Sequence, residues 1–389
     1  MKKIFDNTQV AFSLKSDIEL HRAYFIFKLI SNKLLVRIGT LLLNFALKIN
    51  LPVESLIRST VFNHFCGGIS ENDCISVVEK MFANGVFSVL DYSIEGKEEE
   101  EQFDSVLNKT IALIYFAKNK KAMPFVVFKP SGFGRINLFQ IIGEGKQLTF
   151  LENEEWKRVV VRFEMVCKAS YDNDIRLLID AEESWIQDAI DNLVEEMMLK
   201  YNKIKPIVFN TFQMYRWDRL EYLKKLHQNA KVKDFQIGVK LVRGAYMEKE
   251  NHRAQNMGYV TPICLSKDET DINFDKAIQY IIDNISIMSI YLGTHNESSN
   301  YFLLKLMKEK GFKNNDVRIW FGQLYGMSDN ITYNLAENGY NVTKYLPFGP
   351  VKDVMPYLIR RAEENTSVAG QTNRELLLIN TERKRRKVN

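Results

Sequence analysis

Cysteine is scarce in this chain: Cys66, Cys74, Cys167 and Cys264 are the four in 389 residues. Their spacing matches no metal-ligand motif, and so few thiols make no disulfide framework, so spare thiols in a reducing cytosol are the plain reading. Proline (8) and glycine (19) fall below average usage, which excludes collagen-like and low-complexity chains. The five histidines, at 21, 64, 227, 252 and 295, are too dispersed to suggest a zinc site, and no metal is expected. Long apolar runs are also missing. Within the most apolar stretch, Ala23 to Leu47, the longest uncharged run, Ile38 to Leu47, has ten residues, about half of what a membrane-spanning helix needs. Met1-Lys2-Lys3-Ile4-Phe5 opens like a signal segment, but Asp6 interrupts before an apolar core develops. There is no G-x-G-x-x-G, since Gly132-Phe133-Gly134 leads into Arg135-Ile136-Asn137, and no Walker A, H-E-x-x-H or G-x-S-x-G motif.

What is present is core material: 46% of the residues are hydrophobic and 12% of the chain is aromatic, enough to exclude a disordered chain. The net charge of +5 is unevenly spread. Residues 1–60 carry +5 and the run Glu382 to Lys387 carries +4, leaving the middle at about −4. Basic ends suit an anionic surface. The run at 383–387 lacks interleaved aromatics, so a flexible basic tail over 371–389 is expected, with no nucleic-acid partner. Near the other end, Lys28, Lys33 and Arg37 stand among Phe25, Phe27, Leu29, Leu34 and Leu35. Such a segment fits either a helix in a membrane interface or a helix packed on the main domain.

From residue 86 the chain changes rhythm. Apolar runs recur at 87–91, 125–128, 175–179, 206–209, 237–242, 286–291, 317–321 and 341–345. Continuous runs of this length read as parallel strands buried on both faces. Amphipathic helix-length stretches such as Glu154 to Ala169 and Trp185 to Tyr201 separate them. Eight strands alternating with helices predict an α/β fold: a (β/α)8 TIM-type barrel over 86–370 behind an N-terminal helical region, 1–85. A doubly wound open sheet is the competing topology.

Barrel chemistry belongs at the carboxyl ends of the strands. There stand Asp91, Lys129, Asp180 with Glu182, Gln213, Lys240 with Arg243, Thr294-His295-Asn296, Gln323 and Tyr345. A second signal lies in the last predicted barrel helix. Tyr357, Arg360, Arg361 and Glu364 share one helical face, with Pro356 placed in the first turn. Two adjacent guanidiniums are forks that fit a carboxylate or a phosphate.

Two blocks then carry a family resemblance. Lys240-Leu-Val-Arg-Gly-Ala-Tyr246 and Tyr345-Leu-Pro-Phe-Gly-Pro350, continued by Pro356-Tyr-Leu-Ile-Arg-Arg-Ala-Glu-Glu-Asn365, resemble the signature segments of proline dehydrogenases. The likeness runs from about Asp91, through Ile179-Asp-Ala-Glu182 and Thr294-His-Asn296, to Asn365, and is nearest the monofunctional, mitochondrial-type branch. The resemblance implies FAD-dependent oxidation of L-proline to Δ1-pyrroline-5-carboxylate, with hydride leaving proline C5 for flavin N5. It implies electrons passed to a membrane quinone and product passed to a separate pyrroline-5-carboxylate dehydrogenase. By the same resemblance, Asp180 and Lys240 are catalytic. Lys129, Tyr345, Tyr357, Arg360 and Arg361 bind the substrate. Gln213, Lys240, Arg243, Gly244, Ala245, Tyr246, Thr294 and His295 contact FAD, and Glu95 pairs with Arg360 as a gate. The bifunctional branch has arginine where this chain has Lys240, so the charge is kept and the fork is lost. A quinone reductase must reach a membrane, so a cytoplasmic protein with peripheral contact at the inner face of the cell membrane is expected. Three alternatives stay open: a hydroxyproline dehydrogenase, a Schiff-base aldolase barrel using Lys129 or Lys240, and a non-enzymatic anion-binding barrel.

Overall fold

A computed structural model describes residues 3–49, 54–92, 98–367 and 369–387. Within these ranges it describes side chains except at 33, 42–48, 56 and 363–370. Helices α1 (Asp17–Ile30), α2 (Lys33–Lys48) and α3 (Ile75–Phe82) precede the sheet. Then follow β1 (Val86–Tyr92), α4 (Glu100–Ala117), β2 (Phe125–Phe128), α5 (Ile136–Gly143), α6 (Phe150–Asp172) and β3 (Arg176–Ile179). Next come α7 (Ser184–Tyr201), β4 (Val208–Gln213), α8 (Arg219–Lys233), β5 (Ile237–Val242), α9 (Met247–Met257) and α10 (Lys267–Asp283). The chain ends with β6 (Met288–Gly293), α11 (Glu297–Glu309), β7 (Ile319–Leu324), α12 (Asp329–Glu337), β8 (Val342–Phe348), α13 (Val351–Ser367) and α14 (Ala369–Arg386). The eight strands form a closed barrel in sequence order, and every pairing described is parallel. The open-sheet alternative is excluded by that closure.

Local sequence explains the elements. Ser16 with Glu19 and Thr149 with Glu152 form capping boxes that satisfy the orphan amides at the starts of α1 and α6. Strands β2, β4 and β8 are buried at every residue, as a parallel sheet covered on both faces requires. Five strands run beyond the expected ends: β1 to Tyr92, β4 to Gln213, β6 to Gly293, β7 to Leu324 and β8 to Phe348. Tyr345 is therefore mid-strand, paired with Val89, rather than at the carboxyl end of β8. Lys240 likewise lies inside β5, opposite Thr211 and Tyr291.

By compactness the chain falls into two units: 1–95, 295–297 and 322–389 form one, 96–294 and 298–321 the other. In the second unit, Phe125 packs edge-to-face on Phe209, Tyr291 and Trp320, with centroids 5.1–5.7 Å apart. Side chains thus fill the interior of the strands, making a core and not a pore. Gly238 is required beside them, because a Cβ there would meet the Phe209 ring at 2.5 Å.

In the first unit, Leu20, Ala23, Ile26, Phe27 and Ile30 of α1 are buried with Val354, Met355 and Leu358 of α13 and Leu378 and Ile379 of α14. Helix α1 is packed on its own unit, and Phe27 belongs to that core rather than to an interfacial face. Residues Phe25, Leu29, Leu34, Leu35, Ile38 and Leu41 remain exposed.

Two further expectations are corrected here. The terminal segment is no flexible tail: α14 is helical, anchored by Leu378 and Ile379 and by its arginines. Arg386 donates to the Phe12 and Lys15 carbonyls at 2.7 Å, and Arg385 and Arg386 both bind the Glu382 carboxylate. A basic run reads as a tail only when its acidic and carbonyl partners, far away in sequence, go unseen. Pro356 also falls inside α13, five residues past its start, because the helix begins at Val351 directly after Pro350. All four thiols are free; burial pushes the Cys74 thiol up to about 12, which suits inert packing.

Candidate active site

In the second unit, the strand ends hold a set of mutually satisfied polar groups. Asp180 is the first residue after β3, and its Oδ1 accepts from Lys240 Nζ at 2.5 Å. Both side chains are largely buried. Two residues further, Glu182 accepts the Ser131 backbone N–H (2.9 Å) and the Ser131 hydroxyl (2.7 Å). Burial pushes the Glu182 carboxyl up to about 7, against those two hydrogen bonds and the nearby Lys129 ammonium. Gln213, the last residue of β4, donates from Nε2 to the Glu182 carbonyl at 2.6 Å.

After β5, Arg243 is clamped on three sides. Its Nε donates to Asp271 (2.8 Å), Nη1 to the Thr294 hydroxyl (2.8 Å) and Nη2 to the Ser299 hydroxyl (3.0 Å). The guanidinium also lies 4.3 Å from the centre of the Phe274 ring. Gly244 follows at φ +132°, and a Cβ there would meet the Tyr215 ring at 2.5 Å. Only glycine fits that turn. Gly244 and Ala245 are exposed backbone, and Tyr246 is half-buried.

The first unit presents a different set. Tyr345 of β8 and Tyr357 of α13 are buried, and the Arg361 guanidinium lies 5.3 Å from the centre of the Tyr357 ring. Arg360 and Arg361 are half-buried neighbours on the same helix. His295 Nδ1 is 2.9 Å from the Ser328 hydroxyl. Burial, reinforced by the Lys344 and Arg361 charges, pulls the His295 imidazole down to about 3, so the ring is neutral. Lys344, fully buried on β8, binds Asp329 at 2.9 Å, and Asp329 also binds Lys15 at 3.0 Å. Burial pushes the Asp329 carboxyl up, yet the two ammoniums outweigh it and hold it well below the usual carboxylate range.

The structure thus brings together Asp180 with Lys240, Arg243 with Thr294, and Arg361 with Tyr357 and His295. Gln213 and Lys129 meet at Glu182, a residue flagged by its strand-end position but given no role. Glu95, expected as a gate, lies outside the described residues, as does the Glu364 side chain. Sequence reasoning missed Ser328, Asp329, Lys344 and Glu375. Lys344 had one visible signal, a lysine within an otherwise apolar strand.

A closed parallel barrel of eight strands alternating with helices defines the class of fold as a (β/α)8 barrel. Comparison with known proteins supplies the family. Residues 74–374 match the family model described as proline dehydrogenase, and the chain belongs to that family, whose members are oxidoreductases acting on proline. It is 35% identical over 334 residues to the carbapenem antibiotics biosynthesis protein CarD of Pectobacterium carotovorum subsp. carotovorum, covering 86% of this chain and 85% of that one. It is 38% identical over 235 residues to the mitochondrial proline dehydrogenase 1 of Homo sapiens, covering 59% of this chain and 39% of that one. Among solved structures, proline utilization A (PutA) from Bdellovibrio bacteriovorus, inactivated by N-propargylglycine, superposes with a TM-score of 0.72 at 21% identity. That match covers 94% of this chain and 37% of the PutA chain, and at this identity it shows the fold alone. The chain spans well under half the length of the human and PutA relatives.

Proposed function

We propose that this protein oxidises L-proline to Δ1-pyrroline-5-carboxylate with FAD as cofactor. The observation that supports it most is the adjacent Arg360 and Arg361 on α13, with Arg361 over the buried Tyr357 ring and Tyr345 buried on the strand before. Two guanidiniums offer forks for the proline carboxylate, and two tyrosine rings offer flat walls for the five-membered ring. Held by its carboxylate, the substrate is fixed without any contact to the C5–H bond that breaks.

The residues present fit a flavin. Gly244, where a side chain is sterically excluded, leaves exposed backbone at Gly244-Ala245-Tyr246. In the second unit, Gln213, Arg243 and Thr294 at the strand ends and Lys240 within β5 supply hydrogen-bonding groups. FAD, when bound, supplies the acceptor for the hydride that leaves proline C5. The Asp180–Lys240 pair places a buried cation on β5 and fixes it with its counter-ion, so that the cation's position is set before ligand arrives. Clamping of Arg243 by Asp271, Thr294 and Ser299 does the same for the turn that follows.

Electrons pass to a membrane quinone in this reading, and the product goes to a separate pyrroline-5-carboxylate dehydrogenase. No helix among the described residues is long and apolar enough to cross a membrane. The exposed Phe25, Leu29, Leu34, Leu35, Ile38 and Leu41, interspersed with Lys28 and Arg37, support peripheral contact with an anionic bilayer. Incubating the purified protein with L-proline and a soluble quinone tests the reaction. The expected product is two hydrogens lighter than proline by mass spectrometry; unchanged proline would refute the proposal. 4-Hydroxyproline in a parallel reaction is expected to turn over more slowly, because the buried Tyr345 leaves little room for a ring hydroxyl.

A further inference from the structure

The turn between β7 and α12 gathers more ties than any loop of its length requires. His64 donates from Nε2 to the Gly326 carbonyl at 3.0 Å. Asp329 holds Lys15 and Lys344. Between them Ser328 sits at φ +51°, ψ +41°, a left-handed conformation that a residue with a Cβ adopts only when its surroundings enforce it. The enforcing group comes from the terminal helix. Glu375 of α14, 5% exposed, accepts the Ser328 backbone N–H at 2.5 Å. With its backbone fixed in this way, Ser328 presents its hydroxyl to His295 Nδ1 at 2.9 Å.

We propose that Glu375 is a positioning residue for His295, acting through the strained Ser328 turn to fix the imidazole's orientation and tautomer. It rests on the reading of His295 as a cofactor contact only for its functional meaning; the relay itself is a property of the chain. Anchoring Nδ1 leaves Nε2 as the ring's other polar atom, in one defined direction. Burial pushes the Glu375 carboxyl up to about 7, with Asp329 adding to that rise and Lys344 and Lys15 opposing it. Arg374, next to Glu375 on α14, is bound to Asp6 and Glu297 instead. Facing His295 are Lys344 and Arg361. A carboxylate is a stronger acceptor than a carboxylic acid, so the hold on Ser328 is firmest above pH 7 and relaxes below it.

The test is nitrogen-15 imidazole NMR on the full chain, needing neither flavin nor proline. With five histidines present, the His295 signals are assigned by their loss in His295→Gln. In the wild type the ring is expected as one neutral tautomer at pH 8, its shifts moving with a midpoint near pH 7 although the ring itself stays unprotonated. Glu375→Gln, whose amide oxygen still accepts the N–H, keeps the tautomer and loses the midpoint. Glu375→Ala gives averaged tautomers at every pH. Ser328→Gly guards against a variant that fails to fold, since it relieves the backbone strain while deleting the hydroxyl; averaged tautomers are expected there with Glu375 intact. A wild-type-like His295 spectrum in Ser328→Gly, or an unchanged pH 7 midpoint in Glu375→Gln, overturns the proposal. Loss of proline turnover in the wild type, with these shifts present, refutes the proposed function and leaves the relay standing.

Discussion

The polar groups of the two units solve the problem of burial in different ways. In the second unit each charge near the strand ends has a nearby counter-group: Asp180 has Lys240, Arg243 has Asp271, and Glu182 has two donors on Ser131. In the first unit one carboxylate, Asp329, serves two buried or half-buried ammoniums, and α13 adds two adjacent guanidiniums. The first arrangement is a cradle, rigid because its members are spent on one another. The second concentrates positive charge, as binding an anion requires.

The contrast gives predictions of decreasing size. Asp329→Ala strands Lys344 and Lys15 without their shared partner, so it should cost about 3–5 kcal/mol of stability by chemical denaturation. Asp329 is also a source of pH dependence. Its carboxyl is depressed in the folded state, so its contribution is complete above the ordinary aspartate range near pH 4 and is lost as pH falls further. Asp329→Asn should remove that acid-side loss from the stability profile.

Arg361→Ala removes one fork of the proposed carboxylate clamp and should lower kcat/KM for proline roughly 30- to 5,000-fold, from a cost of about 2–5 kcal/mol. The cradle is tested by Gly244→Ala. Its methyl would meet the Tyr215 ring at a φ that alanine disfavours, for a penalty of about 1–3 kcal/mol and a measurable loss of retained flavin on desalting. Smallest is Arg386→Ala, which removes contacts to the Phe12 and Lys15 carbonyls and to Glu382. A loss of about 1–2 kcal/mol in unfolding free energy is expected by chemical denaturation; no change would mean that α14 contributes nothing through its basic end.

The barrel was legible because strands buried on both faces leave continuous apolar runs, and the polar residue that ends each run is visible against them. Asp180 stood out in this way, as did Lys240, although it lies inside β5; the Arg360-Arg361 pair stood out by its spacing on one helical face. Their partnerships were not, because Asp180 and Lys240 stand 60 residues apart and nothing local links them. The relay from Glu375 to Ser328 to His295 was invisible for the same reason, its two links spanning 47 and 33 residues. The terminal helix was misread for a different one. Its RKRR run dominates the composition, whereas what docks the helix is Leu378, Ile379 and a buried Glu382 four residues before Arg386.

The most direct test of the central claim is a visible spectrum of the purified, flavin-loaded protein under anaerobic titration with L-proline. Loss of the oxidised-flavin bands on adding proline is the predicted result, with Arg361→Ala requiring far more proline for the same bleaching. Flavin bands that persist at saturating proline would contradict it.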